Sequence, residues 1–165
     1  MLTWTQFATE RPDLAEKGRR QLYRWEIGLG FLATVRPDGG PRVHPVCPVI
    51  SADGLHILVV SGPKQRDLRR DGRYSLHGET YAPPHHDDGF SVTGRAREVA
   101  DASVGRRVRA HLLAERDQSV PWPTIDEDVL FELLVDGCLV MRTETDERFP
   151  KGPTVWRAPG NAVAG

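Results

Sequence analysis

Residues 41–50 read PRVHPVCPVI. Valine and isoleucine mark the run as extended chain, yet Pro41, Pro45 and Pro48 interrupt it. Proline fixes φ and has no N–H for a ladder, so such a run does not belong in the middle of an ordinary sheet. Where it sits therefore decides the architecture. Before it lies GFLATVR (30–36), short and apolar, joined to it by the turn sequence PDGG (37–40). After it come ADG (52–54), a second hairpin signal, and LHILVVSG (55–62), the strongest core strand in the chain.

Further out the period changes. Thr3 and Gln6 have the spacing of a capping box, which predicts a short helix from Trp4. Asp13 then caps a second helix through LAEKGRRQLYRWE, with Leu14, Leu22 and Trp25 at helical spacing. KQRDLRRDGR (64–73) is too charged for a strand and predicts one or two helical turns. RYSLHGE and FSVTGRAREVAD resume the strand pattern around the polar loop PPHHDDG, and Asp101 or Ser103 caps a helix carrying the stripe Val104, Val108, Leu112. VLFELLV and CLVMRTE predict a last pair of strands, and Thr154–Arg157 a short one. Six or seven strands joined mainly by turns, with helices at the start and in one insertion, predict a mainly β fold with helices (α+β): an antiparallel barrel. A single domain spans 1–165, with N-terminal helices at 4–26, a core barrel at 29–145 and a C-terminal segment at 146–165.

Composition excludes several classes. A chain of 165 residues is one domain's worth, and its net charge of -1 gives no general reason to bind nucleic acid or an anionic membrane. The 16 glycines and 13 prolines suit a turn-rich fold and fall short of the roughly 25–30% that marks disorder. Cys47 and Cys138 are far apart and belong to no C-x-x-C, so they read as reduced thiols of a cytoplasmic protein. No apolar stretch approaches about 18 residues.

Some motifs lose their force in context. GLGFLA (28–33) fits G-x-G-x-x-A, but that fingerprint must follow a strand and open a helix, whereas here the order is reversed. The glycines are expected to end the helix instead. HHDD (85–88) has metal-friendly residue types and reads as a solvated loop, so no metal site is expected. His44 and Cys47, three apart on a strand, point to opposite faces and make no catalytic pair. Ser61 lacks a nucleophile elbow. Lys64 differs from the other basic residues of its segment: a strand emptying into SGPK and a helix start brings backbone N–H groups and a point charge together, a combination that holds phosphate. Arg70 and Arg73 read as solvated.

The ordered set FLATV, R-PDGGPRVHPV, DGLHILVVSG, PKQRDLRRDGRYSLH and FSVTGRAREV resembles the pyridoxamine 5′-phosphate oxidase-like split-barrel proteins, above all through S-x-x-K-x-x-x-L followed by R-R-D-x-R. The resemblance is good over roughly residues 20 to 100 and holds in outline elsewhere. It implies an antiparallel split β-barrel, a homodimer, and FMN or coenzyme F420 in each of two grooves at the interface. It places His44, Pro45, Val46 and Cys47 against the flat ring system. It places Ser61, Gly62 and Lys64, with Arg66 nearby, at the phosphate, and Trp156 reaching across from the other subunit. The implied activity is hydride transfer to or from a small organic substrate, with a non-catalytic binding, storage or sensing protein as the alternative. Relatives often carry an aromatic residue near Val140 or Met141, and classical oxidases a more polar turn where Gly62 and Pro63 stand. Both departures argue against pyridoxamine phosphate as the substrate.

Overall fold

The computed structural model describes residues 1–80, 89–116, 121–122, 125–141 and 153–160. Helices α1 (Trp4–Glu10) and α2 (Pro12–Leu22) lead into strands β1 (Gly30–Val35), β2 (Pro41–Val46), β3 (Pro48–Ser51) and β4 (Gly54–Val59). Helix α3 (Pro63–Arg70) is followed by β5 (Arg73–Gly78) and β6 (Gly89–Glu98), then α4 (Ala102–Glu115), β7 (Val129–Met141) and β8 (Thr154–Arg157).

All eight strands form one antiparallel sheet in the order β2-β1-β5-β6-β7-β4-β3, with β8 added to β7. The two ends of that path, β2 and β3, are consecutive in sequence, with only Cys47 between them. Two Cα steps of about 3.8 Å join the opposite edges, so the sheet has to curl until its edges meet at Cys47. Away from that joint the edges are free to diverge, which makes a split barrel. The opening stretch thus occupies both edges, and its prolines stand where a ladder partner is absent.

Helix α2 covers the β3 edge. Its C-cap residue Tyr23 donates its hydroxyl hydrogen to the Pro48 carbonyl (3.3 Å) and accepts from the Ile50 N–H (2.7 Å). Arg19, stacked on the Tyr23 ring, reaches the Ile50 carbonyl at 3.4 Å. These side chains take the place of a neighbouring strand. Inside the barrel Leu32, Leu55, Ile57, Leu76, Val92, Phe131 and Leu133 are fully buried. Trp4, Phe7, Phe90 and Trp156 join the same core, with ring centroids 4.9–6.4 Å apart. A second cluster forms where Val108 and Leu112 of α4 cover Val49, Leu58 and Leu130.

Several expectations are corrected. The capping box at Thr3 and Gln6 forms, but α2 is capped at Arg11 with Pro12 in its first turn, and Asp13 pairs with Arg11 instead of capping. Helix α2 stops at Leu22, so Trp25 lies beyond it, 61% exposed, with its indole N–H on Glu79. The glycines do not end this helix. Glu26 takes the positive φ (64°), and Gly28 is required because a Cβ there would stand 1.7 Å from the Pro48 carbonyl oxygen.

VLFELLV and CLVM are one strand, β7. Asp136–Gly137, read as a break, is a bulge: Gly94 faces Val135 while Thr93 faces Gly137, leaving Asp136 as the extra residue. Its carboxylate accepts from Thr93 (2.9 Å), and Leu2 pairs with Val135 through two backbone bonds. Asp101 caps α4 as expected. HHDD lies outside the described residues.

Candidate functional site

Alternation on β2 divides its side chains between two faces. Arg42, His44 and Val46 stand opposite Thr34, Leu32 and Gly30 of β1 on the barrel side, while Pro41, Val43 and Pro45 face outward beside Val35, Ala33 and Phe31. The strand then breaks at Cys47. The register with β1 is regular through Val46, so Cys47 follows it at the point where the chain passes from one edge strand to the other.

Lys64 lies between them electrostatically: its charge bears on both the His44 imidazole and the Cys47 thiol. Lys64 is half-buried, and among the described residues it has no carboxylate within ion-pair distance. Burial lowers its pKa, partly offset by Cys47 and Asp128. Burial likewise pushes His44 below the ordinary histidine value, and Lys64 and Arg42 push it further. Among the described residues, the buried His44 Nε2 has no hydrogen-bond partner. Burial raises the Cys47 thiol, against the pull of Arg116 and Lys64. The site therefore holds a neutral imidazole, a protonated thiol and an ammonium group with no counter-ion among the described residues.

Helix α3 sets the height of Lys64. Its N-cap is Gly62, which offers no side-chain cap, and a Cβ on Gly62 would meet nothing within 4 Å. Pro63 has no N–H and the Arg66 N–H bonds the Gly62 carbonyl (3.1 Å), which leaves the Lys64 and Gln65 N–H groups without a side-chain cap next to exposed Ser61. Asp67 fixes the helix to the sheet: buried, it accepts from Arg42 Nε (2.7 Å) and Thr34 Oγ1 (3.2 Å), with Arg70 at 3.7 Å. Arg70 also donates to the Val35 carbonyl, so it is bonded to the sheet and not merely solvated. Arg73 pairs with Asp71 on the surface, and Arg66 is exposed.

The charge of Lys64 reaches both His44 and Cys47, and Ser61 and Gly62 stand at the same helix start. Pro45 points to the outer face. Trp156 lies apart from them: its ring packs on Phe7 and its N–H reaches Glu10 (3.2 Å) within the same chain. Sequence reasoning missed a further group whose charge reaches Cys47. Arg116, at the end of α4, lies over the Trp122 ring (4.6 Å to the centroid), and Trp122 donates to buried Asp128 at 3.0 Å. Trp122 in a Pro-Trp-Pro sequence was the one available signal. A cavity of about 630 Å³ lies elsewhere, between α1, α2 and the β3–β4 turn, and is lined by Trp4, Ala15, Arg19, Ile50 and His111.

The sequence profile of the pyridoxamine 5′-phosphate oxidase family matches residues 18–133. The chain belongs to that family. Among solved structures, a heme-binding protein from Mycobacterium smegmatis is similar at a TM-score of 0.61 and 15% identity, over 86% of this chain and 57% of that one. The chain thus spans little more than half the length of that protein. The heme storage protein HutZ from Vibrio cholerae gives 0.58 and 18%, over 76% and 89% of the two chains. An F420 reductase gives 0.53 and 18%, over 72% and 94%. At these identities the likeness is one of fold. No curated protein matches the chain by sequence. Among the described residues, no helix is long and apolar enough to cross a membrane, and no cluster of side chains could hold a metal ion.

Asp67 gives a test of how the site is held. Burial raises its pKa, but the Arg42 and Thr34 hydrogen bonds and the Arg42 and Arg70 charges more than offset this, and the net value falls below the ordinary one. A lowered folded-state pKa means stability that is present above the unfolded value, about 4, and lost as pH falls through the folded one. Asp67→Asn leaves Arg42 without its charge partner and is expected to cost about 2–4 kcal/mol in urea unfolding at neutral pH. The gap to wild type should narrow below about pH 4. A gap that stays constant into acid would show that the carboxylate charge contributes nothing.

Proposed function

We propose that the protein is an oxidoreductase that binds FMN or coenzyme F420 and transfers a hydride to or from a small organic substrate. The observation that carries this is Lys64: a half-buried cation with no counter-ion among the described residues, beside N–H groups of α3 that no side chain caps and a His44 Nε2 with no partner among those residues. These groups fit a phosphate-bearing cofactor. Lys64, Ser61 and the α3 N–H groups would take the phosphate, with Arg66 adding charge at the rim. His44, Pro45, Val46 and Cys47 would line the ring system, where the prolines stiffen the wall and His44 Nε2 gains a partner. A bound flavin or deazaflavin supplies the redox chemistry through N5 or C5. The chain excludes water and orients the ring; neutral His44 and protonated Cys47 leave the ring face without a fixed charge. Trp156 is assigned only a supporting role, since its ring is already packed.

A second reading, a protein that carries or stores its cofactor without turnover, draws on the same neutrality: neither His44 nor Cys47 is poised as an ionised acid or base. Relatives named for heme storage and for F420 reduction share the fold. Steady-state turnover of reduced cofactor with enones, quinones and tetrapyrroles separates the two readings.

A homodimer belongs to this proposal. The apolar segment VLFELLV does not supply the reason, since Phe131, Leu133 and Val135 are covered within the chain. The outward row Pro45, Phe31, His77, Ser91, Leu139, Val155 does, because it runs across six strands with Phe31 43% and Val155 55% exposed. Val43 extends the same apolar face.

Two outcomes are expected. Sedimentation at micromolar concentration should give twice the chain mass, and a cofactor-loaded monomer would refute a shared groove. A charge-assisted bond to phosphate is worth about 1.5–3 kcal/mol, so Lys64→Ala should weaken cofactor binding roughly ten- to a hundredfold in calorimetric titration. Turnover should largely return at saturating cofactor. Arg73→Ala, paired only with Asp71, should bind as wild type does. Unchanged affinity of Lys64→Ala for both cofactors would remove the phosphate assignment.

A further inference from the structure

Lys64 is not the only cation whose charge bears on the Cys47 thiol. Arg116, at the end of α4, does so too, with its guanidinium 4.6 Å from the centroid of Trp122. Among the described residues it has no carboxylate within ion-pair distance, and the acids around it are engaged elsewhere. Asp128 accepts the Trp122 indole N–H at 3.0 Å, and Glu115 faces His111 at 3.0 Å.

The wall beneath Arg116 is fixed. Arg109 of α4 donates to the Ile125 carbonyl (2.9 Å) and the Asp128 carbonyl (2.6 Å), tying down the chain on which Asp128 and Trp122 meet. Trp122 and Cys47 both pack against the cluster of Val49, Leu58, Val108, Leu112, Ile125 and Leu130, so the indole and the thiol share one apolar floor. A guanidinium lying on an indole keeps its N–H edge in plane and outward, the geometry that receives a carboxylate through two parallel bonds. The indole and the apolar floor beside it suit a flat, apolar body.

We propose that Arg116, held on Trp122, is a second anion anchor that receives the carboxylate of a planar organic substrate beside Cys47, while Lys64 keeps the cofactor phosphate. This rests on the cofactor reading above for the role of Lys64. The acidic tail of a deazaflavin carries the same chemical group, so the shared chemistry is a carboxylate, and the experiment separates the two sources.

The probes are anthraquinone-2-carboxylate and anthraquinone-2-carboxamide, which share a flat body and differ in charge. Each is titrated into the full chain with and without saturating FMN. Wild type is expected to bind the carboxylate roughly ten times more tightly than the amide. Arg116→Gln should abolish that preference with amide affinity and melting temperature unchanged. Arg116→Lys should restore it only in part, because a point charge lacks the paired geometry. Trp122→Leu should weaken both probes. Equal binding of the two probes by wild type, or a preference that survives in Arg116→Gln, overturns the proposal. Direct titration of FMN and F420 into wild type and Arg116→Gln completes the test. A selective loss of F420 affinity assigns the anchor to the cofactor's tail and overturns the substrate role, whereas failure of wild type to bind either cofactor overturns only the reading of Lys64.

Discussion

Cys47 is the single residue between the two edge strands of an antiparallel sheet, and every other feature of the fold accommodates that connection. A flat sheet would hold those edges some six strand spacings of about 4.8 Å apart, so curling is obligatory. Curling produces an interior that one row of apolar side chains fills, and it leaves two edges that meet at one point and part beyond it. The edges need protection. Proline removes donors from the unpaired stretch, and Tyr23 and Arg19 bond the remaining groups of β3.

The same connection carries the candidate site. The Cys47 thiol and His44 both come under the charge of Lys64, which the Asp67 contacts with Arg42 and Thr34 hold at the start of α3. Three desolvated groups are thereby gathered with fewer partners than burial ordinarily demands. An unpartnered imidazole nitrogen and an uncompensated ammonium are costly in a resting protein, and a ligand that supplies acceptors relieves both. That asymmetry is the physical content of the functional proposal.

Local features of the sequence were legible where local chemistry decided them. The capping box at Thr3, the PDGG and ADG turns, the Asp101 cap and the Val108–Leu112 stripe all formed as their spacing required. Features decided by distant partners were not. Asp136–Gly137 has turn chemistry, yet β6 pairs along the whole of β7 and converts the turn signal into a bulge. Gly28 serves a carbonyl on β3, 20 residues further on, and not the helix before it. Lys64 was visible because strand, glycine and helix start are contiguous in sequence. Arg116, Trp122 and Asp128 were not, because only the packing of α4 over β3 and β4 carries them to Cys47.

The most direct test of the account is the absorbance spectrum and mass of whatever copurifies with the protein from hosts that do and do not make F420. The account predicts a phosphate-bearing flavin or deazaflavin, near one per chain, lost on Lys64→Ala and retained on Arg73→Ala. A heme spectrum that survives Lys64→Ala, or protein that carries no chromophore and takes up neither FMN nor F420, would contradict it.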